Sequence, residues 1–267
     1  MLKREIIPYS RDYCRWFAEA YDVLKENFDG NYTDEICKLR GYVSKEHIKF
    51  IDSLNLGRCD IENVADLGEH RRELGLVTKQ DKFIMPGRYI IPVNDIVGNI
   101  VALVGWYPDK KKYITTPSVF FSKDTLFFNI DKAFKLSWEK YDGICFLVEG
   151  MFDCISLSSI GLPVMATMGS TVSYAKAEQL KIFRKVVGIP DNDRVGRSAL
   201  NRYSPKGWHV PDNATMLRLR SEGLDIDGTH YSVKDTDDLV KYFEADSLRE
   251  ILLSFADSKE EIEDLII

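Results

Sequence analysis

Acidic side chains follow three of the strands that the sequence predicts, at the point where each strand ends. Glu149 comes directly after the apolar run 144–148, and Asp191 and Asp193 come just after the run 185–190. Asp235 and Asp237 follow the predicted strand 216–219 and stand immediately before a predicted helix. Because the carboxyl ends of parallel strands line one crevice of an open sheet, we expect these five carboxylates to converge there.

A cluster of carboxylates is electrostatically unfavourable unless cations neutralise it. Oxygen ligands alone favour hard cations, so the expected metal is Mg²⁺ or Mn²⁺ rather than zinc. Such ions suit phosphoryl or nucleotidyl transfer. A plainer interpretation stays open for each piece: Asp235 followed by Asp238 is typical of a helix cap, and Asp191-Asn192-Asp193 is typical of a turn.

The elements that must position these acids alternate in type along the second half of the chain. Apolar runs of strand length are separated by helical patterns. The predicted strands are 144–148, 163–168, 185–190 and 216–219, and the predicted helices are 152–160, 172–183 and 195–203. This alternation predicts an α/β fold with a mostly parallel sheet and helices on both of its faces.

The first half of the chain has a different pattern. Helices are predicted over 11–28, from Thr33 to Leu39 with Thr33 as N-cap, and after Ser44 as a second N-cap. Short strands are predicted at 89–93, 99–106 and 112–114, with a turn from Asn94 to Gly98. These elements predict a small mixed α+β unit.

Composition narrows the class of protein. The 267 residues are 45% hydrophobic, but no apolar run reaches the roughly 18 residues of a membrane-spanning helix. The N-terminus has no apolar signal region, so the expected location is the cytoplasm, without membrane association. The five cysteines include no Cys-x-x-Cys pair, so neither a zinc site nor a disulfide scaffold is expected within the chain.

Charge is unevenly distributed along the chain. The net charge is −6, yet residues 235–267 alone carry eleven acids against three bases. Residues 82–140 carry nine bases against five acids. A basic middle segment and an acidic tail can bind a polyanion on one face only.

Three segments around the acids resemble the Toprim domain, which bacterial DnaG-type primases share with topoisomerases and some nucleases. They are Leu147-Val148-Glu149-Gly150-Met151-Phe152-Asp153, Ala166-Thr167-Met168-Gly169-Ser170 and Asp191-Asn192-Asp193-Arg194-Val195-Gly196-Arg197. The spacing of the Glu-Gly-x-x-Asp and Asp-x-Asp pieces is fairly specific for the domain, but it does not select one activity.

Other segments are similar to the primase branch, in the same order along residues 33–245. Arg88 opens a stretch that resembles the family's Arg-x-x-Phe-Pro-Ile-x-Asp-x-x-Gly segment. The remaining similar segments are Leu39–Ser44, Lys112–Pro117, Phe121-Ser122-Lys123 with Leu126-Phe127, and Asp235–Val240. One departure is Val104-Gly105-Trp106, where the family has Gly-Gly-Arg and thus one more basic contact.

The resemblance implies three parts. Residues 1–140 would form a primase-core-like, basic α+β subdomain, residues 141–240 the Toprim catalytic domain, and residues 241–267 a short acidic helical tail. The family's zinc-binding and helicase-binding domains have no counterpart in the sequence. It therefore resembles an isolated catalytic core of the kind found in some phage and mobile-element primases.

The implied activity is template-directed synthesis of short RNA primers on single-stranded DNA from ribonucleoside triphosphates, a nucleotidyl transfer. Two or more Mg²⁺ or Mn²⁺ ions would act on the attacking and leaving oxygens. Glu149, Asp191 and Asp193 would be catalytic, and the metal ligands would be drawn from Asp191, Asp193, Asp235, Asp237, Glu149 and Asp153. Among these, Asp153 and Asp237 would be second-line metal or orienting groups. Nucleotide or template phosphates would meet Arg88, Lys112, Lys123, Arg194 and Arg197.

The implied partners are a replicative helicase and a separate zinc-binding protein, in a bacterial or phage-infected cell. Trp106, Tyr107 and Tyr113 could stack on single-stranded bases, although packing within the fold is the more ordinary role of each. Two other functions stay open: a Toprim-type metal-dependent nuclease, and a non-catalytic single-stranded-DNA-binding protein of the replisome. A nuclease would share the acids but would not need the primase-like residues 88–127.

Overall fold

In the computed structural model, the described residues are 11–30, 32–42, 44–107, 112–116, 125–169, 171–192, 208–209, 211–220, 224–226 and 229–266. The chain divides into two compact units, Met1–Lys123 and Asp124–Ile267. Within the described ranges, no helix is both long enough and apolar enough to cross a lipid bilayer.

In its described residues, the first unit has three α-helices and a four-stranded antiparallel sheet. The helices are α1 (Arg11–Glu26), α2 (Thr33–Arg40) and α3 (Lys45–Ser53), and a short 3₁₀ helix follows at Val64–Leu67. The strands are β1 (Gly57–Arg58), β2 (Tyr89–Asn94), β3 (Ile100–Tyr107) and β4 (Lys112–Thr115), hydrogen-bonded in that order. The strands predicted at 89–93, 99–106 and 112–114 are confirmed, and β1 is a further strand that was not predicted.

Helix α1 forms because its aromatic and aliphatic residues recur at helical spacing. Tyr13, Phe17 and Leu24 are buried on one stripe and share a core with Ile90 of β2 and Leu103 of β3. The stripe matches the helix predicted over 11–28, which ends two residues earlier in the structure.

The turn between β2 and β3 is built around Asp95. Its Oδ1 accepts hydrogen bonds from the backbone N–H of Val97 (3.0 Å) and of Asn99 (2.9 Å). Gly98 has φ +92°, a conformation that glycine adopts without strain. The predicted turn from Asn94 to Gly98 is therefore confirmed.

The two predicted helix caps have different outcomes. Ser44 caps α3 and accepts a hydrogen bond from the His47 N–H at 3.1 Å, as predicted. Thr33 is not an N-cap: helix α2 begins at Thr33, and Tyr32 precedes it. The Thr33 hydroxyl donates instead to Asp52 of α3 at 3.2 Å, so it ties two helices together.

The second unit contains a five-stranded sheet. Its strands are β5 (Ile144–Val148), β6 (Val164–Ala166), β7 (Lys185–Ile189), β8 (Ala214–Arg220) and β11 (Ile262–Ile266). All of their pairings are parallel, in the order β11-β8-β7-β5-β6. A separate antiparallel pair consists of β9 (Leu224–Ile226) and β10 (Thr229–Tyr231). The described helices are α4 (Ile130–Lys140), α5 (Met151–Ser159), α6 (Tyr174–Leu180), α7 (Thr236–Tyr242) and α8 (Ala245–Ser254).

The sheet has apolar strands because its central part is covered. Cys145 and Leu147 of β5 share a core with Ala133 of α4 and Leu180 of α6. Helix α5 packs against α7 and β6, and all of its residues are buried. This arrangement confirms the predicted parallel sheet and its helical cover.

The start of the second unit differs from the predicted boundary at residues 140/141. Helix α4 belongs to the second unit, whereas the predicted boundary puts its residues in the first. The physical reason is packing, since Ile130 and Ala133 lie in the same buried cluster as β5.

The predicted helical tail over 241–267 is wrong for its last part. Residues 245–254 are helical, but Ile262–Ile266 form β11, a parallel edge strand on β8. Leu265 is buried there, while Asp264 lies 3.6 Å from Arg218 of β8. The acids Glu263 and Asp264 are therefore consecutive residues of an edge strand instead of part of a helix face. The predicted helix 195–203 lies outside the described residues.

Candidate active site

Two of the predicted acids meet at the carboxyl ends of neighbouring strands. Strands β5 and β7 pair in parallel, with Val148 opposite Ile189. Glu149 follows Val148 directly, and the Asp191 N–H donates to its Oε1 at 3.4 Å. The parallel register therefore places Glu149 beside the loop that carries Asp191.

A third acid reaches the same loop through the segment that precedes α7. The N–H of Asn192 donates to the Lys234 carbonyl at 2.7 Å, which joins this segment to the end of β7. Asp235 follows and is the N-cap of α7, where its Oδ1 accepts from the Asp238 N–H at 2.9 Å. The helix-cap interpretation of Asp235 is thus confirmed.

Asp153 lies on the first turn of α5 and is 8% exposed. Its Oδ1 accepts from the Thr236 hydroxyl and from the Asp237 N–H, both at 3.1 Å. A side chain on residue 150 would overlap its Oδ2, so Gly150 is required for the carboxylate to fold back against the start of the helix. This contact gives a physical reason for the glycine of the Glu-Gly-x-x-Asp segment.

Asp237 is 2% exposed and lies on the first turn of α7, with its carboxylate in contact with α5. Its Oδ1 accepts a short hydrogen bond from the Ser156 hydroxyl. Its Oδ2 is 2.7 Å from the Lys241 Nζ, one helical turn further along α7. Both carboxylate oxygens of Asp237 therefore face donors within the protein.

The acids raise one another's proton affinity. The pKa of Asp153 is raised well above its ordinary value, first by burial and then by the charges of Asp235, Asp191 and Asp237. Burial also raises the pKa of Asp235, and the charge of Asp238 adds to it. Like charges close together disfavour ionisation, and a bound cation would relieve this repulsion.

The donor chemistry fits a hard cation, since the atoms at this edge are carboxylate oxygens. Within the described residues, no three histidine, cysteine, aspartate or glutamate side chains are placed to hold one ion together. Asp193, which the sequence nominates as a ligand, lies outside the described residues. A complete ligand set thus needs Asp193 or a shift of the side chains around Glu149 and Asp191.

The loop after β6 holds the backbone of Glu149. The N–H of Met168 donates to the Glu149 carbonyl at 3.1 Å, and Met168 has φ +55°. The buried Lys176 of α6 donates its Nζ to the Thr167 carbonyl at 2.5 Å and lies over the Phe127 ring.

Three polar residues around the acids were not predicted from the sequence: Ser156, Lys176 and Lys241. A polar residue at a position where the helical pattern expects an apolar one is the feature that could have indicated them. Ser156 and Lys176 both fit that description, while Lys241 stands four residues after Asp237.

The predicted basic residues are only partly described. Arg88 belongs to the first unit, where its side chain passes over Gly105 and its guanidinium lies 5.6 Å from the centre of the Tyr107 ring. Lys112 begins β4 opposite Tyr107. The predictions for Lys123, Arg194 and Arg197 concern residues outside the described ranges.

The predicted stacking aromatics occupy different environments. Trp106 is buried and stands opposite Tyr89 on β2 and Tyr113 on β4, so packing within the sheet is its role. Tyr113 is 48% exposed on β4.

Comparison with known proteins shows which families and folds this chain is similar to. Residues 146–230 match the protein family described as Toprim-like, a stretch that runs from β5 past β9 and contains Glu149, Asp153 and Asp191. A DNA primase of Thermotoga maritima is 29% identical over 186 residues, which cover 67% of this chain and 31% of that protein. The chain therefore spans about a third of the length of this relative.

Solved structures of primase domains have the same fold. The zinc-binding and RNA polymerase domains of the Aquifex aeolicus primase match with a TM-score of 0.66 and 25% identity, over 94% of this chain and 63% of that one. A DnaG primase catalytic domain bound to ssDNA matches with a TM-score of 0.65 and 18% identity, over 92% of this chain and 80% of that one. Residues 146–230 are thus similar to the Toprim-like family, and the chain has the fold of the catalytic core of DnaG-type primases.

Proposed function

We propose that this chain is a DNA primase core, which synthesises short RNA primers on single-stranded DNA. The observation that carries the proposal is the meeting of Glu149, Asp191 and the Asp235 segment at the carboxyl edge of the parallel sheet. The primase-like strand that follows Arg88 favours this function over a Toprim-type nuclease. A nuclease would share the acids but would have no use for residues 88–127.

Glu149, Asp191, Asp193 and Asp235 would hold two or more Mg²⁺ or Mn²⁺ ions in this proposal. When bound, such ions neutralise the triphosphate and make the attacking hydroxyl more acidic. Asp153 and Asp237, also nominated by the sequence, have their carboxylates in hydrogen bonds between α5 and α7. We therefore place these two behind the ligands.

Glu149 would accept the proton of the primer 3′-hydroxyl or of the initiating nucleotide. The 3′-oxygen forms a bond to the α-phosphorus of the incoming nucleotide, and the bond to pyrophosphate breaks. The Asp191 N–H donates to one oxygen of the Glu149 carboxylate, and the Met168 N–H donates to the backbone carbonyl of Glu149, so the side chain and the backbone of this residue each have a contact that positions them.

Basic residues would bind the phosphates. Arg88 and Lys112, with Lys123, Arg194 and Arg197, would contact template or triphosphate oxygens by charge-assisted hydrogen bonds. The structural relative bound to ssDNA supports single-stranded DNA as the template class. Ribonucleoside triphosphates would be the second substrate.

Primer synthesis on mixed-sequence single-stranded DNA, with labelled ribonucleotides and Mg²⁺ or Mn²⁺, tests the proposal. Asp191→Asn and Glu149→Gln should each reduce the amount of short RNA product by more than about 100-fold. Losing a partner that only supports a metal ligand costs up to about 100-fold, and these two residues are proposed to act at the metal itself. Glu250→Gln is the matched control, because Glu250 is an exposed acid on α8. It should leave synthesis unchanged.

The same reactions, run with labelled template, separate the alternatives. Metal-dependent loss of the DNA without RNA product would replace the primase with a nuclease. A helicase or a separate zinc-binding protein, added in trans, is expected to increase synthesis by the same active site. DNA binding without either reaction, even with these additions, would leave a non-catalytic replisome protein.

A further inference from the structure

Five residues join α5 to the first turns of α7, and together they are called the helix clasp: Asp153, Ser156, Thr236, Asp237 and Lys241. Asp153 and Ser156 are three residues apart on α5, so they project from the same face of that helix. That face meets α7, where Asp153 accepts from Thr236 and from the Asp237 N–H. Ser156 donates to the Asp237 carboxylate.

The buried groups of the helix clasp complement one another in hydrogen bonding and in charge. Ser156 is fully buried and Asp237 nearly so. A buried carboxylate needs both hydrogen bonds and a counter-charge, and Lys241 supplies the charge at 2.7 Å from Oδ2. The Lys241 side chain is 29% exposed, and its Nζ also lies 3.9 Å from the Asp238 carboxylate.

The helix clasp fixes the place where α7 begins. Helix α7 has seven residues, too few to be stable without tertiary contacts. Its first turn is held by the hydrogen bonds to Asp153 and Ser156, and Asp235 stands immediately before that turn. The position of the Asp235 carboxylate therefore follows from these buried contacts.

We propose that Ser156, Asp237 and Lys241 are positioning residues that set the Asp235 carboxylate for metal binding, and that Asp237 does not itself ligate the metal. The inference rests on the proposed function only in taking Asp235 as a metal ligand. It assigns a role to two residues that motif spacing does not reveal, Ser156 and Lys241. It also separates the two acids of the Asp235-Thr236-Asp237 segment into a ligand and a support.

Mn²⁺ binding to the full chain, measured from the loss of the free-ion electron paramagnetic resonance signal, tests the proposal without relying on catalysis. Asp235→Asn should abolish binding at the site. Ser156→Ala and Lys241→Gln should each weaken Mn²⁺ affinity by about 10-fold, the effect expected for groups that orient a ligand. Lys241→Arg keeps the charge and should restore affinity to within about 3-fold of wild type.

Ser159→Ala is the matched control on the same helix. Its hydroxyl donates to the Ser156 carbonyl, within α5, so the variant should bind Mn²⁺ as wild type does. Primer synthesis across a Mg²⁺ series adds a second readout. The Ser156→Ala and Lys241→Gln enzymes should need more Mg²⁺ but approach the wild-type rate when Mg²⁺ saturates.

Thermal unfolding of each variant without metal separates folding from positioning. If Ser156→Ala and Lys241→Gln lower the unfolding temperature but bind Mn²⁺ with wild-type affinity, the helix clasp is structural only and the proposal is overturned. If Asp237→Asn abolishes binding while Ser156→Ala and Lys241→Gln do not weaken it, Asp237 is a ligand, which also overturns it. Mn²⁺ binding with the expected ranking, but no primer synthesis, would leave this inference standing while the proposed function fails.

Discussion

At the scale of the residue, the second unit concentrates negative charge at one point of the fold. Asp153 has the most constrained carboxylate of this group, since Gly150 leaves it room and Thr236 and Asp237 donate to it. Its raised pKa means that ionising it in the folded, metal-free chain is unfavourable. The site therefore lowers stability at neutral pH when no cation is bound.

The pKa of Asp153 leads to a pH-dependent prediction. A carboxyl with a raised folded-state pKa stabilises the fold fully below its unfolded pKa of about 4, and this contribution is lost as pH rises through the folded pKa. Asp153→Asn keeps an acceptor oxygen and stays neutral. Without metal, it should therefore unfold at a higher temperature than wild type at pH 8.

The comparison with wild type should be repeated at lower pH. The difference between the two unfolding temperatures should shrink as the pH falls, because wild-type Asp153 becomes protonated and neutral like asparagine. Calorimetry in chelator from pH 8 down to pH 5 would measure it. Equal unfolding temperatures throughout would mean that Asp153 is not destabilised by its neighbours.

At the scale of the element, the strands that carry the acids were predicted more reliably than the C-terminal segment. Strands 144–148 and 185–190 are long apolar runs, and the parallel sheet follows from their alternation with helices. The register of β5 against β7, which sets Glu149 beside Asp191, depends on pairing between distant segments. Periodicity along the chain cannot reveal that pairing.

Strand β11 was missed for a related reason. Strand β11 has only five residues and carries two acids, so its charge suggested a solvated helix. Its strand conformation comes from pairing with β8, which lies more than forty residues earlier. The contact of Ser156 with Asp237 likewise joins residues that are distant in sequence, and Ser156 is polar at a position where the helical pattern expects an apolar residue.

Strand β11 supports a prediction about stability. Leu265 is buried at this edge of the sheet, so Leu265→Ala should destabilise the chain by about 2 kcal/mol, at the low end for a buried leucine. Ile262 is 37% exposed at the start of the same strand, and Ile262→Ala should cost less than about 1 kcal/mol. Urea unfolding of both variants would measure the difference. Equal losses would argue that Leu265 is not packed against the sheet.

At the scale of the whole molecule, the net charge is negative, whereas one segment of the chain carries an excess of positive charge. The chain carries −6 overall, yet residues 82–140 hold nine bases against five acids. Binding of single-stranded DNA would then depend on a few basic residues, with the acidic tail opposing it. Salt should weaken such binding strongly, because each phosphate contact releases a counterion.

Arg88 is the basic residue best placed to test this expectation. Arg88→Gln should lower the steepness of log affinity against log salt by about 0.7, the value for one phosphate contact on a single strand. Arg15→Gln is the control, because Arg15 is exposed on α1 and paired with Asp12 and Glu19. Fluorescence anisotropy with labelled oligonucleotide at several salt concentrations would give the slopes. An unchanged slope for Arg88→Gln would remove Arg88 from the DNA contacts.

The contact between Arg88 and Gly105 has a consequence for recognition. A Cβ on residue 105 would lie 2.8 Å from the Arg88 Cδ, so the bare glycine backbone leaves room for the arginine stem against β3. The guanidinium lies 5.6 Å from the centre of the Tyr107 ring, two residues further along the same strand. These contacts restrict part of the rotamer freedom of Arg88 when the protein folds, and that part is not lost again when an anion binds.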